Sequence, residues 1–104
     1  EWKNHVKIIF KQLVKMVYFL HNKARVCHMD IGLENLLIKG CEYKNNKFTQ
    51  HGQICLSGFD LAEYFDETNT NFMCTKYVGK ISYQAPEVYH KRPFNAAKAD
   101  VWSL

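Results

Sequence analysis

The 104-residue sequence predicts an α+β fold in which helix outweighs strand. Three observations carry that expectation. Val6, Ile9, Phe10, Leu13, Val14, Val17 and Leu20 recur at helical spacing and form one apolar stripe near the N-terminus. Two short apolar runs, Leu36-Leu37-Ile38 and Gln53-Ile54-Cys55-Leu56, flank a polar, glycine-containing stretch, the pattern of a hairpin. Further on, Ala85-Pro86-Glu87 opens a helical turn with proline at the first helical position, and Asp100 is placed to cap a last helix beginning at Val101-Trp102.

Taken in order, the first helix should run over residues 4–21. Lys7, Lys11 and Lys15 step by four along another face of it and stay hydrated there. Val26-Cys27-His28-Met29-Asp30 reads as a buried turn entering a polar loop, after which Leu36-Leu37-Ile38 forms the first hairpin strand. Residues 39–52, rich in Lys, Asn and Gln, connect it to the second strand at Gln53. From Gly58 to Gly79 the chain is polar and aromatic without sustained periodicity, which predicts an ordered or switchable loop. There is no internal repeat and no low-complexity tract.

Composition excludes several classes. With 47% hydrophobic, 14% aromatic and 23% charged residues, the chain is globular rather than disordered. The net charge of +4 comes without a dense basic run, so no nucleic-acid partner is expected. Cys27, Cys41, Cys55 and Cys74 show no C-x-x-C spacing, and no histidine stands at a ligand offset from them, so no zinc site is expected. The most apolar stretch, residues 8–20, is broken by Lys11 and Lys15 and is too short to span a bilayer. No signal peptide opens the chain, and both ends read as cut from something longer.

Five blocks then fall in a telling order: Tyr18-Phe19-Leu20-His21, His28-Met29-Asp30-Ile31-Gly32-Leu33-Glu34-Asn35, Leu56-Ser57-Gly58-Phe59-Asp60-Leu61-Ala62, Gly79-Lys80-Ile81-Ser82-Tyr83-Gln84-Ala85-Pro86-Glu87, and Asp100-Val101-Trp102-Ser103-Leu104. Over nearly the whole chain this resembles the C-terminal lobe of a eukaryotic protein kinase, from the helix before the catalytic loop through the activation segment. The resemblance is to the serine/threonine branch, on Glu34-Asn35 and on Tyr83 before Gln84-Ala85-Pro86-Glu87. It implies a partial kinase-like lobe with a small β-hairpin beside the catalytic loop. Its boundaries are 4–21 for the preceding helix, 26–38 for the catalytic loop, 39–57 for the hairpin, 58–87 for the activation segment and 100–104 for the start of the next helix. The N-terminal lobe, with its glycine-rich loop and strand lysine, and the rest of the C-terminal lobe lie outside these residues.

By resemblance, Asp30 accepts or orients the substrate hydroxyl proton, Asn35 holds a magnesium ion, and Leu37 forms the floor under the adenine of ATP. His28 and Phe59 match packing positions between the loop and the activation segment. Asp100 matches the aspartate that ties the catalytic-loop backbone to the next helix, and Glu87 a glutamate that pairs with an arginine further along. The cofactors implied are ATP and magnesium, and the partner is a protein substrate. On the same resemblance, reduced thiols and an intracellular, cytoplasmic setting are the default expectation.

Three departures bear on activity. The family's D-F-G reads Gly58-Phe59-Asp60, and glycine offers magnesium no carboxylate. Asp60, two positions late, would need a bulge to serve the metal. The lysine expected two residues after Asp30 is Gly32. The arginine expected before Asp30 is Met29, so a phosphate on Thr68, Thr70, Thr75 or Tyr77 would lack its usual cationic partner. Lys80 replaces a threonine after Gly79, and its amine either reaches Asp30 and the phosphate, restoring the charge lost at Gly32, or faces solvent. Two functions follow: ATP-dependent phosphoryl transfer to a protein hydroxyl, or a pseudokinase that serves as a binding or scaffold module.

Overall fold

The computed structural model describes residues 2–104, and it has the α+β character that the sequence predicts. Helix α1 spans Trp2–Phe19 and buries His5, Ile9, Leu13 and Val17, a row at four-residue spacing. The expected stripe was wider. Val6, Phe10 and Val14 are 59%, 48% and 41% exposed, because α1 is packed along only part of that stripe. Val6 and Phe10 instead line an open apolar groove of about 430 Å³ with Ile31, Leu36 and Leu56. Lys7, Lys11 and Lys15 are solvent-exposed as expected.

The α-helix stops at Phe19, earlier than expected, and a wider π-type turn carries the chain over Leu20–Ala24. Arg25 closes that turn in the left-handed region, its N–H donating to the Leu20 carbonyl. The turn aims His21 inward, where it is 7% exposed.

Strands β2 (Leu36–Lys39) and β5 (Gln53–Leu56) pair antiparallel, Leu36 opposite Leu56 and Lys39 opposite Gln53, which is the hairpin the sequence predicts. Its connection is itself folded: β3 (Glu42–Lys44) and β4 (Lys47–Gln50) make a second hairpin around Asn45 and Asn46. Both asparagines have positive φ, 53° and 63°, the geometry of a primed two-residue turn. Gly52 lets the long connection return. Its φ is +82°, and a Cβ there would stand 2.5 Å from the Lys39 carbonyl and 2.8 Å from the Cys41 nitrogen. Gln12 anchors α1 to this returning edge, donating to the Gly52 carbonyl at 3.0 Å and accepting from the Ile54 N–H at 2.9 Å.

Two further short pairings order residues 58–87. β1 (Val26–Cys27) pairs with β6 (Glu63–Tyr64), and β7 (Met73–Cys74) with β8 (Phe94–Asn95). α2 (Pro86–Tyr89) starts at proline as predicted. The last helix, α3, spans Ala96–Ser103 and starts earlier than expected; its cap is Asn95, whose side chain accepts from the Lys98 N–H. Asp100 lies inside α3 and caps nothing there, a correction whose reason lies in the site below. One core gathers Ile9, Leu13, Val17, Ile31 and Ile54 under α1; the other gathers Cys27, Phe65, Cys74, Ala85, Val88, Phe94 and Ala96 beneath the loops. No helix among the described residues is long and apolar enough to cross a membrane.

Candidate functional site

The site is built where β1 gives way to the loop that carries Asp30. Backbone amides in such a loop have no strand partner, and burying them unpaired is costly. Asp100 reaches across from α3 to satisfy two of them. Its Oδ2 accepts from the His28 N–H at 2.8 Å and its Oδ1 from the Met29 N–H at 2.9 Å. His21 Nε2 meets the same carboxylate at 2.8 Å. Met29 is held by this grip at φ 70°, a conformation a residue with a Cβ rarely adopts. Asp100 therefore ties loop to helix from 2% exposure, and a residue pointed at the loop cannot cap its own helix.

His28 is fully buried and locks the next residue. Its Nδ1 accepts from the Asp30 N–H at 3.0 Å, which places the ring proton on Nε2, donated to the Ser57 carbonyl at 2.7 Å. Its ring packs edge-on to Phe59 with centroids 4.6 Å apart. The loop and the segment after β5 are thus joined through one neutral imidazole.

Around the Asp30 carboxylate stand three polar side chains. Asn35, on a 3₁₀ turn (Leu33–Asn35) leading into β2, donates from Nδ2 to the Asp30 carbonyl at 2.8 Å and to Oδ2 at 3.3 Å. Lys80 Nζ lies 3.0 Å from Asp30 Oδ1, 3.3 Å from Oδ2 and 3.1 Å from Glu34 Oε1. Glycine makes that approach possible: Gly79 has φ +101°, and a Cβ there would stand 2.9 Å from the Met29 carbonyl. Gln84 pins the turn by donating to the Val78 and Gly79 carbonyls. The hydrogen bond to Asp30, then that to Glu34, raises the Lys80 pKa above its ordinary value. A backbone hydrogen bond first and Lys80 second hold Glu34 below the usual glutamate value. The result is an ammonium between two carboxylates at the open end of the loop. Glu34 had no motif of its own to announce its part in this cluster, since its partner lies 46 residues away in sequence at Lys80.

The other expected site residues are placed differently. Gly58 is left-handed at φ +74°, and a Cβ built on it would overlap the Asn35 amide, so the amide fills the space where a side chain at this position would start. Asp60 is exposed on a 3₁₀ turn (Phe59–Leu61) and joins no hydrogen bond or ion pair among the described residues. Leu37 is 50% exposed, alternating with Leu36 and Ile38, which line the groove beside α1. The donors near Asp30 are its own carboxylate, the Asn35 amide oxygen and the Glu34 carboxylate, which Lys80 already engages at 3.1 Å. Position 58, on the far side of Asn35, offers no carboxylate, so the residues present do not fit the magnesium site that the resemblance implies.

Folding also gathers His21, Cys27 and Asp100, whose ligand atoms lie within 4.8 Å of one another, although nothing in their spacing joins them. The Asp100 oxygens are committed to His28, Met29 and His21, and burial pushes the Cys27 thiol far up, keeping it protonated. This triad is a structural hub.

A family model of the protein kinase domain matches residues 2–104. The chain is similar to CBL-interacting protein kinase 19 of Oryza sativa subsp. japonica, 36% identical over 94 residues, which is 90% of this chain and 16% of that protein. Against CBL-interacting serine/threonine-protein kinase 15 of Arabidopsis thaliana the identity is 35% over 94 residues, 90% of this chain and 20% of the relative. Against CBL-interacting protein kinase 16 of Oryza sativa subsp. japonica it is 32% over 101 residues, 97% and 20%. The chain thus spans a fifth or less of the length of these curated relatives.

Proposed function

The chain belongs to the protein kinase family, and from that premise we propose that its parent protein transfers a phosphoryl group from ATP to a serine or threonine hydroxyl of a protein, with Asp30 and Lys80 at the point of transfer. The observation that carries this reading is the contact of Lys80 Nζ with Asp30 Oδ1 at 3.0 Å. Phosphoryl transfer asks a protein mainly for positioning and for positive charge where negative charge accumulates. Gly32 supplies no cation. Lys80 brings one to the same carboxylate from the activation segment, 46% exposed and able to face a phosphate.

Asp30 orients the attacking hydroxyl and takes up its proton. Asn35 holds Asp30 through its carbonyl and Oδ2, and His28 and Asp100 hold the backbone on which Asp30 sits. ATP supplies the phosphoryl group, and Leu37 offers an apolar surface to its base. No step is routed through magnesium.

A second reading is favoured by a different observation. The Asn35 amide fills the start of the space a side chain at Gly58 would take, and Asp60 stays out of the cluster. A domain with no carboxylate at position 58 would lack a ligand for the cation that neutralises phosphate charge, and its kinase-shaped surface then serves as a scaffold. Thermal shift of the full-length protein with ATP, with and without Mg²⁺, and a phosphotransfer assay separate the two. Transfer abolished in Asp30→Asn and cut at least tenfold in Lys80→Met is expected. Full turnover in Lys80→Met would remove Lys80 from the mechanism, and absent or metal-independent nucleotide binding with no transfer in the wild type would favour the scaffold.

A further inference from the structure

Arg25 is in the left-handed region at φ 59°, a strained posture for a residue with a side chain. That posture turns both its carbonyl and its guanidinium toward one stretch some 40 residues away. The Arg25 carbonyl accepts from the Phe65 N–H at 2.8 Å. Its Nε donates to the Phe65 carbonyl at 3.1 Å, and Nη2 donates to the carbonyls of Asp66 at 3.1 Å and Asn69 at 2.6 Å. The guanidinium carbon stands 4.0 Å from the centre of the Phe72 ring, a cation–π contact.

The stretch so held is a compact turn with its own closure. Asn69 N–H donates to the Asp66 carbonyl and Phe72 N–H to the Asn69 carbonyl, while the Asn69 amide brackets the Met73 backbone from both sides. Met73 then opens β7, which pairs with β8 and leads toward Lys80. Every acceptor on Arg25 is a neutral carbonyl of the unmodified chain. Thr68 is already engaged by the Asp66 carboxylate through both its N–H and its hydroxyl, which leaves a phosphate there facing that carboxylate.

We propose that Arg25 is the positioning residue that orders the activation segment in place of a phosphate, so that the segment docks without modification of Thr68, Thr70, Thr75 or Tyr77. Its consequence for catalysis rests on the function proposed above; the ordering itself does not. The geometry has one cation serving three carbonyls and a ring, an arrangement the planar guanidinium fork makes and a lysine ammonium does not.

The test is amide hydrogen exchange on the full-length protein treated with phosphatase, comparing wild type, Arg25→Gln and Arg25→Lys. Wild type is expected to protect the Phe65, Phe72 and Met73 amides with or without phosphatase. Arg25→Gln should speed their exchange by about tenfold or more while the Ile9 and Leu13 amides of α1 stay protected, with Arg25→Lys in between. If Arg25→Gln fails to fold, Phe72→Leu keeps an apolar side chain beside Phe65 and His21 but removes the ring under the guanidinium, and should raise exchange at the same amides about threefold. Unchanged exchange in these variants, or protection of wild type that vanishes on phosphatase treatment, overturns the proposal. In a transfer assay Arg25→Gln should raise KM for the protein substrate and leave KM for ATP alone. A wild type without transfer speaks against the proposed function only, and exchange then decides Arg25 by itself.

Discussion

Replacing Asp100 by alanine removes the acceptor of two loop amides and of one imidazole in a single step. The His28 and Met29 N–H groups, bound at 2.8 and 2.9 Å, would be stranded in a region where Asp100 itself is 2% exposed. A stranded buried donor costs about 1–3 kcal/mol. Two stranded amides put the expected destabilisation at about 2–6 kcal/mol, and the lost His21 contact at 2.8 Å moves it away from the lower end. Asparagine keeps one acceptor but turns an NH₂ toward a backbone N–H, so Asp100→Asn should cost about 1–3 kcal/mol. Urea unfolding of the full-length protein, followed by fluorescence, gives both values, and exchange of the His28 and Met29 amides locates the change. The reasoning fails if Asp100→Ala costs under about 1 kcal/mol and both amides stay protected.

The charge cluster carries a pH signature. Glu34 is held below its ordinary value, so its contribution is present above pH 4.5 and fades as pH falls below that. Lys80 is raised, so its contribution is full below pH 10.5 and is lost as pH climbs past its folded value; NMR of the lysine Nζ should show the contact intact between those limits. Gly52→Ala should destabilise by about 1–3 kcal/mol in thermal melts, because its left-handed backbone and two backbone neighbours under 3 Å leave no room for a methyl. Alkylation followed by mass spectrometry should label exposed Cys41 well before Cys27, which is wholly buried and whose thiolate is disfavoured first by that burial and then by Asp100. Equal labelling of the two in the native protein would contradict the packing described for the second core.

Much of the fold was legible where the signal is local. The β2–β5 pairing followed from two apolar runs, and the start of α2 from a proline whose fixed φ suits a first helical turn. The β3–β4 hairpin has a local signal of its own, since Tyr43 and Phe48 flank Asn45-Asn46, a turn pair that tolerates positive φ. The width of the buried stripe on α1 was not legible, since periodicity shows which residues could be buried and not how many neighbours arrive to bury them. The site divided in the same way. Asp30 and Asn35 stand five residues apart and announce themselves, whereas Glu34 and Arg25 gain their parts only from chain that returns to them.

What the sequence determined by itself is the order of the motifs, hence the family, and the losses within them. No fold can put a carboxylate on Gly58 or a cation on Gly32. What tertiary structure decided is direction. Asp100 could have capped a helix, yet it points at amides 71 and 72 residues earlier in the chain. Lys80 could have faced solvent, yet it lies against Asp30, 50 residues away. Proline, periodicity and turn chemistry act over a few residues, so sequence carries them plainly. The partner of a side chain depends on which distant backbone needs a donor or acceptor, and only the folded chain brings the two together.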